Sequence, residues 1–398
     1  MRPSFRLCLI GLLGLSSLTP CGLRAQSSSP ASSGQPDPHP FAAKFQPFVD
    51  NHALAGAVFL VATKDKILDE EAIGYADLDA KKPMSSDNEF WIASMTKPMT
   101  ATALMMLVDE GKVKIDDPVE KYLPEFKGLT VGGSKEEPPV PASHPILVRE
   151  ILSHTSGMAN LPERPVPGSL AEHVQTYSKS PLSTQPGTHF LYANAGINTA
   201  GRIIEVVGGV PYAAFMQERV FTPLGMSDTT FRPNEAQMAR LASAYLEAPD
   251  KSGLVKGICP LLPAPGKPWL PPMPAGGLFS TAADLLKFGR MMLQGGIYEG
   301  KRYLSEGSLA AMTKAYTTPA TGGSYGLGWM IAPNGFFHDG AYKTRMSIIP
   351  REGLVEIFLV QQQGPIPESV KQSMKMFSET AEGVFGKVKA PSQDTPPK

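Results

Sequence analysis

Apolar positions in this chain recur with two different periods, and each period marks a different part of the molecule. Phe41, Phe45, Phe48 and Val49 fall on one side of a helix, so a short helix is predicted over 41–51. Ala57 to Ala62 is a run of Val, Phe and Leu; the polar turn Lys64-Asp65-Lys66 follows, and a second run from Ile67 to Ala76 returns. That arrangement predicts a β-hairpin. Ala101 to Val108 is apolar on nearly every side and predicts a buried helix that stops at Gly111, with Pro98 in its first turn, where a missing N–H is tolerated. From about Lys112 to Ala320 the pattern is helical and looped, with helices expected near 195–207, within 211–220 and over 284–293. β-type runs resume late, at 325–331, 336–338, 344–349 and 354–360, with Asn334-Gly335 and Pro350 to Gly353 between them. A last helix repeats apolar residues at Val370, Met374, Phe377, Ala381 and Val384. Strands at both ends with helices between predict an α+β (broadly α/β) fold. Its antiparallel sheet is built from both chain ends and flanked by helices, with an inserted, mostly helical region. The cleft between the two parts is the natural place for a site.

Composition narrows the function classes. The 398 residues are 42% hydrophobic, ample for one large core. Lys plus Arg and Asp plus Glu balance at 37 each, and no basic stripe interrupts that balance, which argues against nucleic acid as a partner. Arg2 and Arg6, the apolar run Leu7 to Leu18, and Leu23-Arg24-Ala25 before Gln26 read as an export signal over 1–25. Cys21 raises a lipoprotein variant, although Pro20 before it fits poorly. The domain reading is a flexible Ser/Pro-rich leader over 26–40, one large domain over 41–385 and a flexible tail over 386–398. Beyond the signal no stretch is apolar and long enough to be transmembrane. Removal of the signal leaves Cys259 alone, so no intrachain disulfide is expected, and no metal-ligand spacing or cofactor motif is present. The expected location is the periplasm or the exterior; oligomeric state stays open.

Ser94-Met95-Thr96-Lys97 carries the first chemical signal. Residues at i and i+3 share a helix face, so the Lys97 ammonium can reach the Ser94 hydroxyl. The helix start adds free N–H groups and partial positive charge, which favour an alkoxide or oxyanion. Tyr192-Ala193-Asn194, just before a predicted helix, could bring a phenol to the serine and an amide to a substrate carbonyl. Taken alone it could equally be a packed tyrosine and a helix-capping asparagine. His338-Asp339-Gly340 falls in the late strands, where alternation puts 338 and 340 on one face. Gly340 would let a substrate lie against the backbone, and a nearby N–H could complete an oxyanion hole. Lys251-Ser252-Gly253 is a rival third motif that reads as a surface turn. Seven prolines and Trp269 within 258–275 make a stiff loop that could wall a pocket.

Together and in this order, Ser94-x-x-Lys97, Tyr192-x-Asn194 and His338-x-Gly340 resemble the class C β-lactamase-related serine hydrolases, which include family VIII carboxylesterases and D-alanyl-D-alanine peptidases. The runs Leu152 to Gly157, Ala275 to Thr281 and Tyr325 to Trp329 are similar too, and the resemblance covers roughly 40–385. It implies a β-lactamase/DD-peptidase-like fold and an acyl-enzyme on Ser94. Lys97 and Tyr192 would share the general-base work, the sequence leaving open which accepts the proton. Asn194 would position lysine and substrate, and the N–H groups of Ser94 and Ala341 would bind the oxyanion. Such enzymes use no cofactor or metal, and the substrate would be a small ester, a β-lactam or a short peptide. His338 stands where β-lactamases and penicillin-binding enzymes typically carry lysine. A mostly neutral imidazole would attract a carboxylate less, which tilts the expectation towards an ester.

Overall fold

The computed structural model describes residues 39–133, 138–159, 168–317, 324–364 and 368–386. The export signal, nearly all of the leader and the tail after 386 lie outside them. Seven strands form one antiparallel sheet: β1 (Gly56–Ala62), β2 (Ile67–Asp77), β3 (Lys82–Pro83), β4 (Met330–Ala332), β5 (Gly335–Asp339), β6 (Arg345–Ile349) and β7 (Leu354–Leu359). Their spatial order is β4-β5-β6-β7-β1-β2-β3. The two ends of the domain therefore meet at its centre, where Val58 faces Leu359 and Leu60 faces Ile357. The predicted hairpin at the N-terminal end and the late strands are in place. One late run is shorter than its pattern suggested: of 325–331, only the end joins β4. Tyr325 to Trp329 coil instead around Gly328, which takes φ +81°, and this turns Tyr325, Leu327 and Trp329 into the core.

Each face of the sheet has its own core. Five helices matter to the site or its frame: α1 (Ala42–Asp50), α2 (Thr96–Asp109), α3 (Asn194–Gly208), α4 (Ala282–Leu293) and α5 (Glu368–Phe385). On one face α1 and α5 cover Phe59 and Phe358, and the rings of Phe41, Phe45 and Phe377 interlock with them. Met374, Phe377 and Ala381 of the last helix are buried as their spacing predicted, but Val384 is exposed; the side chain of Val370 lies outside the description. On the other face α2, α3 and α4 pack into the larger core.

Helix α2 is buried on all sides from Thr96 to Leu107, as expected for a helix without a polar face. Two of its threonines find internal partners, whereas Thr102 Oγ1 has none among the described residues. Thr100 Oγ1 donates to the Pro274 carbonyl at 2.7 Å and lies 2.7 Å from Tyr212 Oη, while Thr96 Oγ1 donates to the Ala93 carbonyl at 2.7 Å. These contacts tie α2 to the segment near 274, which becomes one wall of the site. No helix among the described residues is long and apolar enough to cross a membrane.

Candidate active site

Ser94 sits in the single 3-10 turn Ala93–Met95 that feeds α2. The turn is sharp: Ala93 takes φ +45°, a conformation that L residues adopt at a cost. It is held by Met95 N–H to the Ile92 carbonyl at 3.1 Å and by Ile92 N–H to the Leu278 carbonyl at 3.0 Å. Thr96 Oγ1 also accepts from Leu278 N–H at 3.2 Å. Among the described residues neither the Ser94 N–H nor the Ala341 N–H has a hydrogen-bond partner. Both remain available to an incoming oxygen.

Lys97 is completely buried, yet its ammonium is fully satisfied. It donates to Ser94 Oγ at 2.9 Å, to Asn194 Oδ1 at 2.8 Å and to the Ala275 carbonyl at 2.6 Å, three acceptors for three hydrogens. The same ammonium lies over the Tyr192 ring, 4.8 Å from its centre. Asn194 opens α3, and one turn later Asn198 accepts from Ala275 N–H at 3.0 Å. The i, i+4 asparagine pair thus holds both the lysine and the carbonyl that receives it. That role of Asn198 and Ala275 was missed in the sequence, although the Asn-x-x-x-Asn spacing at a helix start was there to be seen.

Behind Tyr192 lies a buried group of rings. His154 lies against Tyr192 with centres 4.3 Å apart and planes tilted by 36°, and it meets the Tyr325 ring at 4.7 Å and 65°. Its Nδ1 accepts from Ala193 N–H at 3.2 Å, so the proton of the neutral ring is on Nε2, which has no polar partner among the described residues and is held among aromatic rings. Burial holds the His154 pKa well below its ordinary value, and the nearby Lys97 adds to this. His154 fixes the ring plane of Tyr192, a role the sequence reading did not assign.

The third motif differs from its reading. His338 was placed as a substrate-facing residue, but it is completely buried with both ring nitrogens engaged. Nδ1 lies 2.8 Å from the carbonyl of Asp339, which can only accept, so Nδ1 donates there and Nε2 accepts from Tyr325 Oη at 2.8 Å. Burial first, and then the Lys97 charge, push its pKa down to about 3, so the ring is neutral. The strand alternation was read correctly: Asp339 points the other way and forms a two-pronged ion pair with Arg345 at 2.6 and 2.8 Å. What the alternation could not tell was that Tyr325, not substrate, fills the space before the imidazole. Gly340 is required for a different neighbour as well. A Cβ there would stand 2.5 Å from the Ile92 carbonyl and 2.0 Å from Thr344 Oγ1, so the close approach is to the strand-end and turn that lead into Ser94.

The rival Lys251 is in an exposed turn between the short paired strands Tyr245–Glu247 and Leu254–Lys256, as its turn chemistry predicted. The proline-rich segment over 258–275 is irregular, and Tyr342 Oη, beside Ala341, anchors it through the Ile258 carbonyl at 2.5 Å. Trp91, Ala93 and Tyr342 pack together there, with Cys259, Leu261 and Leu262 against them. Ile258 itself is 67% exposed. The lip next to Ala341 is therefore apolar.

A family model described as Beta-lactamase matches residues 41–380. The chain belongs to the beta-lactamase family. It is a serine hydrolase by that membership, and the antiparallel sheet with its helical insertion is the fold of this family. Protein Rv1367c of Mycobacterium tuberculosis (strain ATCC 25618 / H37Rv) is 32% identical over 357 residues, which span 78% of this chain and 87% of that protein. Esterase EstB of Burkholderia gladioli is 32% identical over 276 residues, 62% of this chain and 67% of the esterase. Among solved structures, EstCE1, a hydrolase with promiscuous acyltransferase activity, superposes with a TM-score of 0.71 at 22% identity. The match covers 85% of this chain and 97% of that one, and it is a likeness of fold alone. Within the beta-lactamase family, then, this member carries the serine–lysine pair with a neutral, enclosed histidine at the third motif.

Proposed function

We propose that this beta-lactamase-family chain is a carboxylesterase of the class C type that works through an acyl-enzyme on Ser94. The observation that carries the reading is the Lys97 ammonium, bonded at once to Ser94 Oγ, Asn194 Oδ1 and the Ala275 carbonyl and lying on the Tyr192 ring. Once one proton has left the Lys97–Tyr192 pair, the free amine or the phenolate takes the Ser94 proton as Oγ attacks the ester carbonyl. The N–H groups of Ser94 and Ala341 hold the oxyanion, the alcohol departs with the proton, and water attacks the acyl-enzyme by the same route in reverse. Esters are favoured over carboxylate-bearing β-lactams for two reasons: the imidazole of His338 is neutral and enclosed, and the lip formed by Tyr342, Leu261 and Leu262 is apolar. Acyl groups of modest size suit such a lip.

A β-lactamase or D-amino-acid peptidase is the second reading, and Lys343 is the observation in its favour. Its buried ammonium reaches the Ala341 carbonyl at 3.3 Å and the Gly364 carbonyl at 2.6 Å, so a cation does stand beside the oxyanion lip. Side-by-side turnover of p-nitrophenyl butyrate and nitrocefin separates the two, with Ser94→Ala as control. Ester turnover alone, lost in Ser94→Ala, is expected; comparable nitrocefin turnover replaces the first reading by the second, and activity surviving in Ser94→Ala removes the nucleophile assignment. The reading includes export, on the pattern of residues 1–25, and N-terminal sequencing of the exported form is expected to begin at Gln26.

A further inference from the structure

On the face of the sheet opposite Ser94, strand β2 turns Asp69 and Glu71 towards the start of α1. Residues two apart on a strand share a face, so the two carboxylates are neighbours. Both are buried, Asp69 to 9% exposure and Glu71 to 6%. Glu71 is accounted for in part: its oxygens accept from Phe41 N–H at 3.1 Å and Ala42 N–H at 2.7 Å, which caps α1. Asp69 is not. Its Oδ2 is shielded from solvent and has no hydrogen-bond partner among the described residues. A buried carboxylate with a second one beside it is costly unless a cation or a proton compensates. Burial and the adjacent Glu71 accordingly raise the Asp69 pKa.

A third donor completes the group. His39, two residues before the capped N–H of Phe41, has an exposed side chain, and one ligand atom each from His39, Asp69 and Glu71 lie within 4.8 Å of one another. Imidazole and carboxylate ligands bind zinc at about 2.0–2.2 Å, which sets donor atoms about 3.5 Å apart around a tetrahedral ion. The closure needed is on the order of 1 Å, and the exposed His39 side chain can supply it by rotation. One nitrogen and two oxygens suit a borderline divalent ion such as Zn²⁺, with water as fourth ligand. With twenty-nine residues between the first two and one between the last two, these ligands form no motif in the sequence; only the packing of α1 on β2 gathers them.

We propose that His39, Asp69 and Glu71 form a divalent-cation site that clasps the entry to the domain onto strand β2. The ion neutralises the carboxylate pair and ties the segment before α1 to the sheet, independently of the Ser94 chemistry. The test uses protein dialysed against EDTA and then titrated with ZnCl₂ by calorimetry, with metal content and Tm measured in parallel. Wild type is expected to take up one zinc per chain and to gain Tm. His39→Ala, a change at an exposed side chain that spares the fold, is expected to weaken binding at least tenfold and to abolish the Tm gain. Asp69→Asn should do the same, and His52→Ala, which alters another exposed histidine, should change nothing. No stoichiometric uptake overturns the proposal, as does uptake that survives both His39→Ala and Asp69→Asn or that is lost in His52→Ala. An increase in stability of Asp69→Asn at pH 8 with wild type indifferent to zinc also overturns it, and assigns the pair to a shared proton.

Discussion

Gly340→Ala tests whether the end of β5 and the Ser94 turn are one mechanical unit. The added Cβ would sit 2.5 Å from the Ile92 carbonyl, whereas ordinary contact begins at 3.4 Å. Relief requires the two backbones to part by about 1 Å. Ile92 accepts the N–H of Met95 that closes the turn, so the displacement passes directly to Ser94. Ala341 follows Gly340 directly, so its backbone is displaced with it. A misplacement of about 1 Å costs on the order of 10²-fold in rate, and overpacking of this kind costs about 1–3 kcal/mol in stability. The assay is kcat/KM for p-nitrophenyl butyrate together with Tm. Thr344→Ala supplies the control, because it removes the other clash, at 2.0 Å from Oγ1, and leaves the Ile92 carbonyl in place. The double variant should therefore recover little activity. Wild-type kcat/KM in Gly340→Ala, or full recovery in the double variant, refutes the coupling.

Tyr192→Phe keeps the ring contact with His154 and the ring beneath Lys97 but deletes the hydroxyl; kcat is expected to fall by about 10²–10⁴, and a loss under tenfold assigns proton transfer to Lys97 alone. Ala93→Gly relieves a left-handed residue at φ +45° while adding freedom to the unfolded chain. The two effects oppose, and chemical denaturation should show a net change within about 1 kcal/mol; a loss above about 2 kcal/mol refutes strain at this position. Glu89 is completely buried with neither carboxylate oxygen bonded among the described residues, and burial raises its pKa to about 9. Its folded form keeps a proton that the unfolded chain releases, so its contribution is whole below the ordinary carboxylate range and is lost as pH rises towards about 9. Glu89→Gln should match wild type near pH 4.5 and gain about 1 kcal/mol per pH unit above it, and a pH-independent difference between the two stability curves defeats the assignment.

Much of the fold was legible because its signals are local and redundant. The hairpin β1–β2, the all-round apolar α2 and the late strands each have a period that survives tertiary packing, and sequence order alone implied that both ends share one sheet. The run 325–331 was misread for a physical reason. Alternating large residues, Tyr325, Leu327 and Trp329, look like a strand, but the glycines between them allow a coil that buries the same side chains. At the site, Ser94, Lys97, Tyr192 and Asn194 converge because each motif is anchored to a helix start, and helix starts are among the better-marked points in a sequence.

The third motif shows where such reading stops. A period of two assigns His338 and Gly340 to one face of β5, and that was correct, but it cannot say what occupies the space in front of the face. The occupants here are Tyr325, delivered by a coil, and the Ile92 carbonyl, delivered by the turn before α2. Both arrive from elements distant in sequence, so no local pattern encodes them. The consequence is chemical rather than cosmetic. With Tyr325 donating to Nε2 and the Asp339 carbonyl occupied by Nδ1–H, protonating His338 would break a buried hydrogen bond and place a second cation near Lys97. The ring is therefore held as a neutral spacer that keeps Tyr325, and through it His154 and Tyr192, in register with the lysine. Carboxylate attraction, if the site has any, must come from elsewhere, and Lys343 is the group placed to supply it. Lys343→Met should accordingly leave ester turnover within about threefold of wild type, since an ester without a carboxylate gains nothing from that charge in its transition state. A collapse of ester turnover in that variant would show that the neutral-spacer account misses the group on which the oxyanion lip depends.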